Sequence, residues 1–206
     1  MREQPYGGGS LFGPSGSRKY LNAPERRRFL ESTQQLASPE RLFCQVLAWS
    51  GARISEVLAL TPAAIDIECG VACITTLKRR KPGIVRQVPL PLDVIRELDR
   101  EFNLRDAQRD PDLAKERIWR FSRTTAWRRV KEIMVAAGIS GTPAMPKGLR
   151  HGFGVSAFQS NVPPHLVQRW LGHASLRTTA IYGDVIGPDE RAFAERMWKN
   201  KLVRLP

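Results

Sequence analysis

Only two stretches of this chain read as β-strands, and they are neighbours. Val71–Leu77 and Ile84–Leu90 are bounded by turn signals and separated by Lys78-Arg79-Arg80-Lys81-Pro82-Gly83. They form a hairpin whose tip is almost entirely cationic. The other patterned segments carry apolar residues at helical spacing. The expected fold class is therefore α+β, mostly α, with a small antiparallel β-sheet or hairpin.

The helical segments have readable ends. Asn22 caps the first, with Pro24 in its first turn and Glu25 at the capping-box position. Ser38-Pro39-Glu40 opens a second, with Leu42, Phe43, Val46 and Leu47 on one face, and Gly51 falls just past its end. Shorter or later helices are expected at Ser55–Leu60, Pro91–Phe102, Thr124–Ala137, Gly148–Ser160, Pro163–Leu171, Ser175–Tyr182 and Pro188–Lys201. Residues 100–117 read as a solvated connection or surface helix. Trp49, Trp127 and Trp170 sit in apolar stripes and are expected in the core. The Gly-rich residues 1–19 are expected to form a flexible arm, and residues 20–206 a single domain.

Charge narrows the function. The chain has 33 Lys and Arg against 20 Asp and Glu, a net of +13. From Ile118 to Tyr182 there are nine basic residues and one acid, Glu132. A long stretch this poor in carboxylates suits a polyanion. No basic amphipathic helix with an aromatic face stands out, so nucleic acid is favoured over a membrane surface. No apolar run reaches the ~20 residues of a membrane span. Three cysteines are too few for a disulfide framework, and no CxxC or HExxH spacing supports a metal site. A reducing cytosol fits this usage.

Four segments carry candidate chemistry. The first is Arg53-Ile54-Ser55-Glu56. The second is the hairpin tip with Lys78 and Lys81. The third is Lys147-Gly148-Leu149-Arg150-His151, whose Lys147 and Arg150 lie one helical turn apart. The fourth is Leu171-Gly172-His173, followed nine residues later by Tyr182. Each alone has an ordinary reading as a surface charge, a solvated turn, a structural histidine or a core tyrosine.

In order and spacing the four together resemble the tyrosine recombinase (phage integrase) family. The resemblance runs from about Tyr20 to Trp198. It implies a catalytic domain whose site residues are Arg53, a hairpin lysine, Lys147, Arg150, His173 and Tyr182. In that chemistry two guanidiniums clamp the non-bridging oxygens of a phosphodiester. Tyr182 attacks phosphorus and forms a 3′-phosphotyrosine. A lysine protonates the 5′-oxygen, and His173 donates to a phosphate oxygen or assists Tyr182. Neither metal, ATP nor a small-molecule cofactor is implied. The implied partners are double-stranded DNA and further copies of the chain, as a tetramer on paired sites, in the prokaryotic cytosol or nucleoid.

Three features depart from the family pattern. Lys147 stands where histidine is commoner. The hairpin lysine is Lys78 counted from the strand start and Lys81 counted back from Val88-Pro89, with Lys78 slightly preferred. Only about twenty residues precede the catalytic-like region, so the usual N-terminal core-binding domain is expected to be absent, and the Met1 start favours a naturally short member over a fragment. Without that clamp, Arg79, Arg80, the Arg26–Arg28 triplet, Arg128, Arg129 and Lys131 are the candidate phosphate contacts. Phe193, Met197 and Trp198 are candidates to pack on a neighbouring protomer or on their own domain. The rival functions are a DNA-binding accessory protein that no longer recombines and a type IB topoisomerase-like relaxing enzyme.

Overall fold

The computed structural model describes residues 10–77, 83–183, Glu195 and Trp198. Helix α1 (Ala23–Thr33) starts at the expected cap. The Glu25 backbone N–H donates to the Asn22 side chain at 2.9 Å, and the Asn22 backbone N–H donates to the Glu25 carboxylate at 2.9 Å. Helix α2 (Ser38–Ser50) ends at Gly51, whose φ of 61° is the left-handed conformation glycine adopts without strain. Its missing side chain also matters, because a Cβ there would lie 2.4 Å from the Phe153 ring. The short α3 (Ile54–Val57) follows at once.

The hairpin sits in a three-stranded antiparallel sheet in the order β1-β2-β3. Strands β2 (Val71–Thr75) and β3 (Val85–Pro89) pair with Cys73 opposite Gln87. Strand β1 (Ile65–Asp66) was not expected; two residues are too few to show an alternation. The hairpin tip residues Lys78, Arg79, Arg80 and Lys81 lie outside the described residues. Helices α4 (Leu92–Phe102), α5 (Leu104–Arg109), α6 (Arg123–Ala136), α7 (Pro146–Gln159), α8 (Pro164–Leu171) and α9 (Leu176–Ala180) complete the described fold. Within 100–117, α5 is tied down rather than merely solvated. Leu104 is buried, and the Gln108 amide donates to the carbonyls of Pro62 and Ile65 at 2.8 and 2.7 Å. The helix expected at 188–201 lies outside the described residues apart from Glu195 and Trp198.

Helix α7 is the spine of the domain. Its Leu149 belongs to a large core built from α1, α2, the sheet, α4 and α6. Its Phe153, Val155 and Ala157 belong to a second core with Val167, Leu171, Ile181 and Tyr182. Part of the expected arm joins this second core. Leu11 is buried in it beside Tyr20 of the domain, Phe12 bridges to Arg18, and Arg18 pairs with Glu25.

The tryptophans correct a sequence expectation. Trp49 and Trp127 are 37% and 41% exposed. Trp170 is partly buried and touches both cores. The buried indole is Trp119, whose N–H donates to the Pro39 carbonyl at 2.8 Å. Among the described residues no helix is long and apolar enough to cross a membrane.

Candidate active site

An open cleft of about 1090 Å³ lies where the α2–α3 junction, the hairpin, α6, the start of α7 and α8 meet. Arg53, Lys147, Arg150 and His173 all line it. These four come from segments as far as 120 residues apart (173 minus 53).

Two helix ends mount the guanidinium of Arg150. One Nη donates to the Gly51 carbonyl at 2.7 Å, and the other to the Leu171 carbonyl at 2.6 Å. Gly51 caps α2 and Leu171 closes α8, so both acceptors are C-terminal carbonyls lacking a helical partner. Burial, with Arg53 nearby, pushes the pKa of Arg150 down to about 10, and it remains a cation at neutral pH. Arg53 sits just after Gly51-Ala52, and its side chain donates to Glu56 at 2.6 Å.

Glu56 is the hinge of the charge network. Its second oxygen accepts from Arg86 at 2.6 Å, and both of those side chains are buried. Arg86 also donates to the Trp170 carbonyl at 2.7 Å and to Thr76 at 3.0 Å. Burial alone would raise the Glu56 carboxyl, but Arg86 and Arg53 outweigh it and hold it below the ordinary carboxylate range.

Tyr182 stands behind this wall. It is 1% exposed and does not line the cleft. Its ring stacks on His173, with centroids 6.1 Å apart and planes 11° apart. Its hydroxyl lies 3.0 Å from Nδ1 of His151. The ring occupies space left by Gly154, where a Cβ would come within 2.6–2.8 Å of three ring atoms. Burial pushes the phenol up to about 12, against the pull of Arg150 and Arg53. His173 reaches Thr179 Oγ1 through Nδ1 at 2.9 Å. Burial, with Arg150 and Arg53, pushes His173 down to about 3. Burial, with Lys147 and Arg150, pushes His151 down to about 4.

The sequence match decides the family. Residues 19–186 match the phage integrase family. The chain belongs to that family. Tyrosine recombinase XerA of Pyrococcus furiosus is 30% identical over 182 residues, covering 86% of this chain and 61% of the relative. Tyrosine recombinase XerD of Yersinia pestis is 28% identical over 152 residues, covering 71% and 50%. The chain thus spans only 50–61% of the length of these curated relatives. Among solved structures, that of XerA recombinase superposes with a TM-score of 0.70 at 24% identity, covering 86% of this chain and 64% of that one. XerH site-specific recombinase in its post-cleavage complex with difH substrate gives 0.70 at 23% identity, covering 88% and 53%. At these identities the likeness establishes the fold.

The integrase-family domain distributes its other candidate cations unevenly. Arg128 is exposed on α6, and Arg123 and Trp127 of the same helix line the cleft. Arg129 is bonded to Glu40 and Glu132, and Lys131 donates to the Ala144 carbonyl at 2.7 Å. Arg26 is buried and donates to the Ala48 carbonyl at 3.2 Å, whereas Arg28 donates to that of Ala137 at 2.9 Å. Trp198 is exposed, and Phe193 and Met197 lie outside the described residues. Sequence motifs missed Arg86, Thr179 and the bond from His151 to Tyr182. Arg86 carried a signal: strand alternation puts it on the same face as the buried Val88, where a charge needs a buried partner.

Proposed function

We propose that this domain cleaves and rejoins double-stranded DNA through a covalent 3′-phosphotyrosine at Tyr182. The convergence of Arg53, Lys147, Arg150 and His173 on one cleft, with Tyr182 stacked against His173, carries the reading. Arg53 and Arg150 take the non-bridging oxygens and stabilise the five-coordinate phosphorus. Lys147, exposed at the mouth on the first turn of α7, adds a point charge. Neutral His173 donates a hydrogen bond to a phosphate oxygen. Tyr182 Oη gives up its proton to solvent and attacks phosphorus, the bond to the 5′-oxygen breaks, and that oxygen takes a proton from Lys78 or Lys81 of the hairpin. The phosphotyrosine conserves the energy of the broken ester, so rejoining requires no ATP. Tyr182 must move from its buried seat into the cleft for this step. The same chemistry, run by four copies on paired sites in a prokaryotic cytosol, gives site-specific recombination.

The test is covalent capture on a nicked duplex without added metal. An SDS-resistant protein–DNA band that Tyr182→Phe removes supports the reading. The buried Tyr182 also suits a DNA-binding member of the same fold that does not cleave. Tight binding with no band on any candidate site would favour that second reading.

A further inference from the structure

Three imidazoles line the cleft, and two of them, His151 and His173, have Nδ1 bonded to a buried hydroxyl. His173 meets Thr179 at 2.9 Å, and His151 meets Tyr182 at 3.0 Å. Thr179 and Tyr182 are both buried. Among the described residues, neither hydroxyl has a second hydrogen-bond partner. A hydroxyl carries one proton to donate. Were the ring nitrogens the donors, both hydroxyl protons would be buried without an acceptor, which native structures avoid. The hydroxyls therefore donate, and both Nδ1 atoms accept.

Both rings are neutral at neutral pH. Burial is the main cause in each, taking His151 down to about 4 and His173 to about 3. The charges facing them act in the same direction: Lys147, Arg150 and Lys19 on His151, and Arg150, Arg53 and Arg86 on His173. A neutral imidazole whose Nδ1 accepts carries its single proton on Nε2. Each ring is then left with one N–H donor, on a residue that lines the cleft beside Arg53 and Arg150.

We infer that His151 is a phosphate-binding residue of this cleft: its Nε2–H donates to a phosphate oxygen beside His173 as DNA docks, in the tautomer that the Tyr182 hydroxyl sets while Tyr182 is still seated, before it moves to attack. The inference rests on the phosphodiester reading given above. It also assigns Thr179 as the positioning residue for His173. Neutral donors suit this place, because they add hydrogen bonds without adding to the repulsion among Arg53, Arg86, Arg150 and Lys147.

The test is nuclear magnetic resonance of the ¹⁵N-labelled full chain at pH 7. Long-range ¹H–¹⁵N correlations report the tautomer of each of the three histidines. Nε2–H is expected at both His151 and His173, and inorganic phosphate should shift both signals. Tyr182→Phe should disturb the tautomer of His151 only, and Thr179→Val that of His173 only. An Nδ1–H tautomer at His151, or a phosphate response at His173 without one at His151, overturns the inference. If neither imidazole nor the Nε signals of Arg53 and Arg150 respond, the cleft takes no phosphate, and the phosphodiester reading falls with everything resting on it. On a nicked duplex, His151→Leu should slow adduct formation by ~10²-fold, the scale of one lost transition-state donor, and His151→Gln, which keeps an N–H, by less. Capture by His151→Leu at the wild-type rate would overturn the role.

Discussion

Glu56→Gln isolates the charge beneath the cleft. The Glu56 and Arg86 side chains are 0% and 2% exposed and meet at 2.6 Å. Glutamine keeps the shape but removes the carboxylate that faces both Arg53 and Arg86. Breaking one side of a buried pair costs about 3–5 kcal/mol, because the other charge stays buried. At about 2–4 °C per kcal/mol for a chain of this length, the melting temperature should fall by roughly 6–20 °C. The assay is thermal unfolding with and without inorganic phosphate. An anion bound at the uncompensated guanidiniums stabilises by about 2.7 kcal/mol at a hundred times its Kd. Phosphate should therefore rescue the variant more than it helps the wild type. Acid adds a second readout. Glu56 is held below its ordinary value of 4.5, so its contribution is present above that pH and is lost as pH falls through the lowered folded value. Glu56→Gln should flatten that acid limb. A melting temperature within about 2 °C of wild type would refute the claim that this buried pair anchors the site.

Further predictions follow from the same geometry. Gly154→Ala would place a Cβ 2.6–2.8 Å from the Tyr182 ring. Overpacking of ~1–3 kcal/mol is partly offset by about 1 kcal/mol of better helix propensity, so the domain stays folded. Unseating Tyr182 should speed covalent capture at unchanged DNA affinity; slower capture would show that the buried seat is the productive position. Stability should fall as pH drops from 6.5 toward 4, because the unfolded chain protonates His151 and His173 while the folded chain does so only near 4 and 3. His151→Gln should remove part of that slope in pH-dependent thermal melts, and an unchanged slope would contradict the neutral ring. DNA affinity should drop steeply with salt, log K falling by about 0.9 for each phosphate neutralised per decade of salt; a flat titration would contradict the basic-face reading.

The sequence revealed the elements better than their environments. Caps and breakers located α1 and α2 because Asn22, Pro39 and Gly51 act within one turn of the chain. The four motif segments could be named, but not how the cleft holds them. Arg150 depends on carbonyls 99 and 21 residues away, which no local pattern encodes. Trp49 and Trp127 fit apolar stripes, but the faces they occupy border Arg26 and the open cleft rather than a core. The burial of Tyr182 was equally hidden, since it depends on the space at Gly154 and on Phe158 and His151 of another helix. His151 stands outside the motif positions, and its role was hidden for the same reason: its partner is 31 residues on.

The phosphotyrosine reading is tested most directly by locating the covalent bond. Protein captured on a nicked duplex would be digested with trypsin and nuclease, and the nucleotide-bearing peptide sequenced by mass spectrometry. The nucleotide is expected on Tyr182, within the peptide that begins at Thr178. A nucleotide on any other side chain, or a captured band carrying none, would contradict the assignment of Tyr182 as the nucleophile.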